Sequence, residues 1–452
     1  MQLNPKAAQA FNQKAEGLLQ DLAPETASPK KVPSRRGFMP DIHVTAHIRP
    51  EDIIGEIEVS QSDPAGNETG KVFKHGGQTI RVVGENYQKI AQIAGGIQKV
   101  PDFRDTVSVE LLIDLIFAWL KGRYKQTNSQ SMTDYVVSEC EKMIQDYEVW
   151  IPIAWTRIES ELEFGNVKIR TITRGMIDRW EQDERRKHPE AQEAIDKYFE
   201  ERRKDLLGLS AATMNLRAEP IRAYEITLQE SEDAIALLRC LSFVNCFPYL
   251  ASHSVPLGRE HLPGHQYLFT QADRVVFFSN GFDKGDLKEW RIGNEYIDLM
   301  KSWGLDTLSD LLKERKKSQF QQEAFNAFQL YSKSSLHKEL ADKLTYILVP
   351  LEGILSVDRN QTHEDMAERL VLLVDKDLQG RKEALATVEK IYERRLSYVR
   401  GEYKEEDVAL LKKFMAIAWA FFINLIGYVN RYRTKEEFIK AVDNLKLSGG
   451  LK

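Results

Sequence analysis

The chain has 452 residues, of which 42 % are hydrophobic and 29 % are charged, and its formal net charge is -5. This length suits two or three domains of roughly 100 to 200 residues each. A slightly acidic total excludes a positive field over the whole molecule, so any surface for nucleic acid must be local. Three scattered cysteines, Cys140, Cys240 and Cys246, are too few for a disulfide framework or a thiolate metal cage. We therefore expect a cytoplasmic protein whose cysteines are plain core residues.

Residues 1–40 are predicted to form a short polar helix followed by a linker or mobile arm. Residues 1–22 lack the uninterrupted apolar stretch of a secretory signal. The next residues cannot hold a helix and have little to bury, because four prolines alternate with basic residues: Pro24, Pro29, Lys30, Lys31, Pro33, Arg35, Arg36 and Pro40.

Residues 41–292 are predicted to be a mixed α+β section with a sensing or regulatory role. Short runs of β-forming residues separated by Gly-rich turns predict strands at 57–59 and 79–83. The patterns then predict helix over most of 109–147 and a strand at 149–155, followed by a hairpin of strands 161–164 and 167–172.

The second half of this section also mixes helix and strand signals. Residues 180–205 are almost continuously charged with a thin apolar stripe, which is typical of a solvated helix. Strand-like runs at 222–228 and 267–278 lie on either side of a helix predicted at 231–247. We therefore assign the α+β class to the whole chain.

Residues 293–452 are predicted to be an all-α bundle. Pro350 should kink the first long helix of this bundle. Apolar residues recur there every three or four positions and form one helical face: Leu336, Leu340, Leu344, Ile347, Leu351 and Ile354. Thr362 and Asp365 form a possible capping box for the next helix, and further helices are predicted at 380–399, at 406–431 and from 434 onward. The apolar run 414–429 is shorter than the ~20 residues of a membrane span, which favours a buried helix and no membrane.

Two groups of residues resemble known binding sites but lack the spacing or the residue types that those sites require. Residues 66–72 (GNETGKV) resemble a phosphate-binding loop but have one spacer residue too few, and Val72 stands where a magnesium-binding Ser or Thr is required. The pairs His43 and His47, and His261 and His265, have no Cys, Asp or Glu at recognised ligand spacings. We therefore predict neither a metal site nor a cofactor.

The segment 391–401 (IYERRLSYVRG) carries a more specific pattern, framed by Tyr392, Arg395, Val399 and Gly401. This frame resembles the signature of the Apea-like HEPN domain, in which a Tyr precedes an Arg by three residues and Val-His-Gly follows. The order of helices agrees, with Leu351–Glu352, residues 367–370 (AERL) and the apolar helix 408–429 resembling the family's other conserved stretches. Arg400 occupies the position of the family's catalytic histidine.

The resemblance implies a metal-independent ribonuclease chemistry carried by side chains. The 2′-hydroxyl must lose a proton, the phosphoryl charge must be stabilised and the leaving oxygen must be protonated. Arg395 suits the second task, because a guanidinium binds phosphate bidentately and stays charged. Arg400 can bind phosphate but is a very poor proton shuttle, since the pKa of an arginine lies above ~12. The catalytic positions are thus Arg395 and Arg400, with cleavage expected to be weakened or lost.

Binding of RNA is expected to survive that change. Residues 381–404 contain seven Lys or Arg and four Glu, which leaves a basic patch beside the motif. The expected RNA-binding residues are Arg394, Arg395, Arg400 and Lys404, and Tyr392, Glu352 and Gly401 are expected to support the motif. Glu352 either orients Arg395 through an ion pair or is a structural carboxylate. The alternative for the arginines is a solvated helix C-terminus favoured by the helix dipole.

The resemblance also implies partners. The family's active site is composed from two facing subunits, so a homodimer through the bundle is expected. Family association suggests RNA-targeting defence or toxin function, with a protein partner or a phage-derived trigger acting on the front section. The alternative is a non-catalytic HEPN scaffold that binds a partner protein and organises an assembly.

Overall fold

A computed structural model describes residues 1–22, 59–62, 68–75, 78–257, 264–271, 274–282, 289–357 and 363–447. The predicted arm, the histidines His43, His47 and His261, and the capping residue Thr362 lie outside these residues. The chain divides into two compact units, the first made of residues 1–147 and 215–226 and the second of 148–214 and 227–452.

The described residues of the first unit form a three-stranded antiparallel sheet, five complete helices and the first turns of a sixth that begins at Pro220. Its elements are α1 Pro5–Gln20, β1 Val59–Ser62, β2 Glu68–His75, β3 Gln78–Val83, α2 Glu85–Gln98, α3 Pro101–Arg104, α4 Val109–Tyr124 and α5 Met132–Met143. The strands follow the order β1-β2-β3. Period-two alternation buries Ile80 and Val82 of β3, as expected for a strand with one face on a core. The predicted N-terminal helix is confirmed as α1, and Ala15 and Leu18 are buried in the core of this unit.

The second unit begins with a four-stranded sheet and a helical pair. Its elements are β4 Gln145–Ile153, β5 Thr156–Ile158, β6 Leu162–Phe164, β7 Val167–Thr171, α6 Arg174–Lys187, α7 Gln192–Leu206 and β8 Ser210–Ala218, and the division places residues 145–147 and 215–218 in the first unit. The sheet order is β4-β8-β7-β6, so β8 lies between two strands that precede it in the chain. The predicted hairpin is confirmed as β6 and β7, whereas β8 was not predicted. The charged stretch 180–205 is two helices, because Pro189 interrupts the pattern.

The strand predicted at 222–228 is wrong, because these residues lie in α8, Pro220–Cys240. The β-forming residues of this stretch favour a strand locally, but the chain starts a helix just before it. Pro220 occupies the first helical position, and the Glu219 carboxylate accepts the backbone N–H groups of Ile221 and Arg222, both at 2.8 Å. This cap fixes the helix start, and the later turns bury Leu228 and the segment 234–238.

The remaining elements confirm the α+β class, with a helical C-terminal section. A hairpin of β9 Gly264–Gln271 and β10 Arg274–Phe282 accounts for the strand signal predicted at 267–278, and β11 Trp290–Ile292 pairs parallel with β5. The helices are α9 Asn294–Ser302, α10 Leu305–Lys313, α11 Gln319–Ser332, α12 Leu340–Leu355, α13 His363–Val374, α14 Leu378–Arg400, α15 Glu405–Ile426 and α16 Lys435–Leu447. Pro350 lies inside α12, as predicted.

The predicted domain boundary at 293 lies inside the second unit. One hydrophobic core joins residues of the C-terminal helices with residues of β6, β7 and α8. Hydrogen bonds cross the boundary as well: Gly165 N–H donates to the Ser309 hydroxyl at 2.9 Å, and the Trp419 indole donates to the Cys240 carbonyl at 3.1 Å. The bundle is therefore completed by earlier residues of the same unit.

Helix α15 is the apolar helix of the sequence analysis. Among the described residues it is the one helix long and apolar enough to cross a membrane, and 44 % of its most apolar window is buried within the protein. Its side chains Phe414, Phe421 and Phe422 are completely buried in the core of the second unit. This burial fits the predicted core helix.

Candidate functional site

The motif segment forms the last turns of α14, and its end is set by a glycine. Gly401 has φ +72°, a left-handed conformation that favours glycine, and its backbone N–H donates to the carbonyls of Ser397 and Tyr398. The predicted helix stop is confirmed. The stop fixes where the side chains of the last two turns point.

One face of this helix end packs toward α15 and holds Arg394. The guanidinium of Arg394 forms an ion pair with Asp407, whose carboxylate also accepts the backbone N–H of Lys404 at 2.9 Å. The buried Tyr398 donates its hydroxyl to the Asp407 carbonyl. The Lys404 N–H and the Arg394 guanidinium lower the pKa of Asp407, whereas burial raises the pKa of Tyr398 to about 12. We call these four residues the closed face.

The other face lies toward α13 and holds Arg395. The ring of Tyr392 stacks on the ring of His363, with centroids 4.4 Å apart and an interplanar angle of 21°. The Nη1 atom of Arg395 lies 3.5 Å from Nε2 of His363, at the outer limit of a hydrogen bond. The Tyr392 hydroxyl is hydrogen-bonded to Glu352 of α12, and burial, with the Glu352 charge, raises the pKa of this tyrosine. We call Glu352, Tyr392, His363 and Arg395 the open face.

The structure thus brings together only some of the residues predicted for the site. Tyr392, Glu352 and Arg395 lie on the open face, while Arg394 and the backbone of Lys404 belong to the closed face. Glu352 accepts from Tyr392 and makes no ion pair with Arg395 within the described part of the chain, which favours the structural alternative for this carboxylate.

Arg400 is exposed at the end of α14, apart from the open face. Arg400 lies five positions after Arg395 on the helix, which corresponds to about 7.5 Å along the axis and about 140° around it. One phosphate can therefore bind Arg395 without touching Arg400 of the same chain. Between them, Leu396 and Val399 are 57 % and 59 % exposed, although both are apolar.

His363 was not among the residues predicted for the site. It is the first residue of α13 and lies 32 positions before Arg395, so no local spacing links the two side chains. An available signal was its place directly after Thr362, at the predicted helix start. The packing of α13 against α14 brings the histidine to the motif.

The open face has the groups needed to hold a phosphate and move a proton. Arg395 makes no ion pair with a carboxylate among the residues that the structure describes, so its charge remains available to an anion. His363 is exposed beside it, and a histidine can both accept and donate a proton near neutral pH. No cluster of three or more His, Cys, Asp or Glu suited to a metal occurs in the described ranges.

A second polar site in the same unit lies between α8 and α11. It is a cavity of about 410 Å³ whose polar lining includes Asp233, Gln329, Arg239 and Lys333. The Asp233 carboxylate accepts the side-chain amides of Gln229 at 3.2 Å and Gln329 at 2.5 Å. Burial raises the pKa of Asp233 to about 6. Neither the motif nor any other predicted site residue lines this cavity.

In comparisons with known proteins, no family model, curated protein or solved structure matches the chain.

Proposed function

We propose that the chain binds RNA through the open face of α14 and that replacement of the motif histidine by Arg400 weakens or abolishes cleavage. The observation that carries the proposal is the exposed Arg395, whose guanidinium lies beside His363 instead of a carboxylate. An arginine held in this way presents its N–H donors to a phosphate without first breaking an ion pair.

The contrast with Arg394 supports this choice of residue. Arg394 is the preceding residue, but its guanidinium is paired with Asp407, which itself is fixed by the backbone of Lys404. A phosphate at Arg394 would have to compete with the charge of that carboxylate. The basic residues of 381–404 add local attraction for a polyanion, although the whole chain carries a net charge of -5.

The test is the affinity of the intact chain for a fluorescently labelled single-stranded RNA of mixed sequence, measured by anisotropy at several salt concentrations. Arg395→Ala should weaken binding about tenfold and reduce the slope of log affinity against log salt by about one, because one phosphate contact is lost. Lys390→Ala is the matched control, since it removes one exposed positive charge from the same helix. Equal affinities for Arg395→Ala and Lys390→Ala would rule out the open face as the RNA site.

One observation favours the second candidate function, a non-catalytic scaffold. Leu396 and Val399 are exposed apolar side chains three positions apart on the motif turns, so they lie on one side of the helix and form a small apolar patch that a protein partner could cover. The same patch suits the predicted homodimer, with the motif turns of two copies facing each other. We propose a homodimer through this patch, because the large side chains Phe414, Phe421 and Phe422 of α15 are already buried within one chain.

Light scattering with Leu396→Glu and Val399→Glu separates these candidates. A shift from dimer to monomer with RNA affinity retained supports a homodimer contact. A chain that is monomeric before substitution removes the homodimer from the proposal and leaves the patch to a different protein.

A further inference from the structure

We propose that His363 accepts the 2′-hydroxyl proton in the cleavage that the chain retains, taking the place of the histidine that the motif lacks. This inference rests on the proposed RNA binding at Arg395 and adds the residue that would move the proton. The geometry that points to it is the meeting of an exposed imidazole and an exposed guanidinium on the open face.

The contact with Arg395 is favourable for only one tautomer of the imidazole. A guanidinium has only N–H donors, so a favourable approach of Nη1 to Nε2 needs a lone pair on Nε2. That is the neutral ring with its proton on Nδ1. A neutral ring with an unprotonated nitrogen can act as a general base, and at 3.5 Å from Arg395 this nitrogen lies within reach of the ribose next to a phosphate bound there.

The orientation of the ring is held by the aromatic contact. Tyr392 stacks on His363 at 4.4 Å between centroids, and the hydroxyl of Tyr392 is tied to Glu352 on α12. Stacking restricts rotation of the imidazole about its side-chain bonds, which keeps Nε2 directed to Arg395. Tyr392 and Glu352 are therefore positioning residues for His363.

The chemical step balances without a metal or a further reactant beyond water. The 2′ oxygen forms a bond to phosphorus as its proton passes to Nε2 of His363, and Arg395 stabilises the charge on the non-bridging oxygens. The bond from phosphorus to the 5′ oxygen breaks, and the leaving 5′ oxygen takes a proton from water. The products are a 2′,3′-cyclic phosphate and a 5′-hydroxyl, and His363 returns its proton to solvent.

A purely structural role for His363 is the competing explanation, and the chain contains a matched example. His337 also stacks on a tyrosine, Tyr346, with centroids 4.8 Å apart and an angle of 18°. Its Nδ1 lies 3.6 Å from a carboxylate oxygen of Asp342. The two histidines thus share the stacking geometry, whereas only the contact of His363 is with the proposed phosphate-binding arginine.

The test is cleavage of the same RNA by the intact chain in the presence of a chelator, with end groups analysed for cyclic phosphate. His363→Gln should reduce the cleavage rate about a hundredfold, the lower range for loss of a general base, and should lower RNA affinity far less than Arg395→Ala does, because the guanidinium charge is retained. His337→Gln should keep the wild-type rate. Added imidazole should restore cleavage to His363→Ala and leave the wild type unaffected, a response that a structural role would not give.

The outcomes separate this inference from the proposed function. RNA binding without cyclic-phosphate products from the wild type, or equal cleavage by His363→Gln and wild type, overturns the role of His363 and leaves RNA binding in place. Absence of RNA binding overturns both.

Discussion

The two faces at the end of α14 differ in how their charged groups are satisfied. On the closed face, Arg394 is paired with Asp407, and that carboxylate also caps the start of α15. On the open face, Arg395 meets only an exposed histidine within the described residues. A helix turns by about 100° per residue, so adjacent residues of one sequence motif point to different neighbours.

A run of arginines is therefore not one functional unit. The closed face uses its arginine to join two helices, and the open face leaves its arginine available to a ligand. A charge count over 381–404 gives both residues equal weight, although only the partners present in the fold separate their roles.

We expect the largest effect on stability when the part of the hydrophobic core that precedes residue 293 is removed. A fragment of residues 293–452 would lack the buried contacts with β6, β7 and α8, including Ile169, Leu237 and Leu238. Fully burying one such side chain contributes roughly 1.5 to 3 kcal/mol to the free energy of unfolding. Losing several of these contributions removes more than the usual free energy of unfolding of a domain. We expect the fragment to show helical circular dichroism without a cooperative thermal transition. A sharp transition in the fragment would show that the predicted boundary at 293 is also a folding boundary.

The closed face should respond to acid in a way that identifies Asp407. The pKa of this carboxyl is lower in the folded chain than its ordinary value, so its contribution to stability is present above about pH 4 and is lost as the pH falls through the folded pKa. Asp407→Asn should therefore lower the melting temperature by a few degrees at pH 7, and the difference from wild type should shrink at pH 3.

Tyr398→Phe is the control for that measurement. It removes the hydrogen bond to the Asp407 carbonyl and leaves the carboxylate in place. The decrease in melting temperature that it causes should therefore be the same at pH 7 and at pH 3. RNA affinity at pH 7 should not fall in either variant, because neither substitution touches Arg395. A loss of RNA binding in Asp407→Asn would mean that the two faces act together.

We expect the smallest effect on stability at Gly401, the residue that ends α14. Gly401 has φ +72°, and a Cβ there would meet no atom within 4 Å, so replacement by Ala costs backbone strain alone. Gly401→Ala should reduce the free energy of unfolding by about 1 kcal/mol, measured by urea denaturation. Gly353→Ala is the control, because this helical glycine also has open space and should gain stability instead. Equal effects at both positions would contradict the left-handed end of α14.

Local patterns in the sequence determined much of the C-terminal fold. Apolar residues at helical spacing predicted α12 and α14, and Gly401 predicted the end of α14. Leu336, which was predicted on the face of α12, lies in a short 3-10 helix before α12 begins at Leu340. The hairpin of β6 and β7 was predictable for the same reason, because its turn residues Gly165 and Asn166 lie between two short alternating runs. These features depend on interactions within a few residues, which a single sequence records directly.

The tertiary structure decided the features that join distant parts of the chain. Strand β8 was inserted between β4 and β7, and the core of the bundle extended across residue 293. The open face also depends on tertiary packing, because His363 lies beside Arg395 only when α13 packs on α14. The sequence by itself determined which residues could carry charge or protons, and packing between separate helices determined which of them meet.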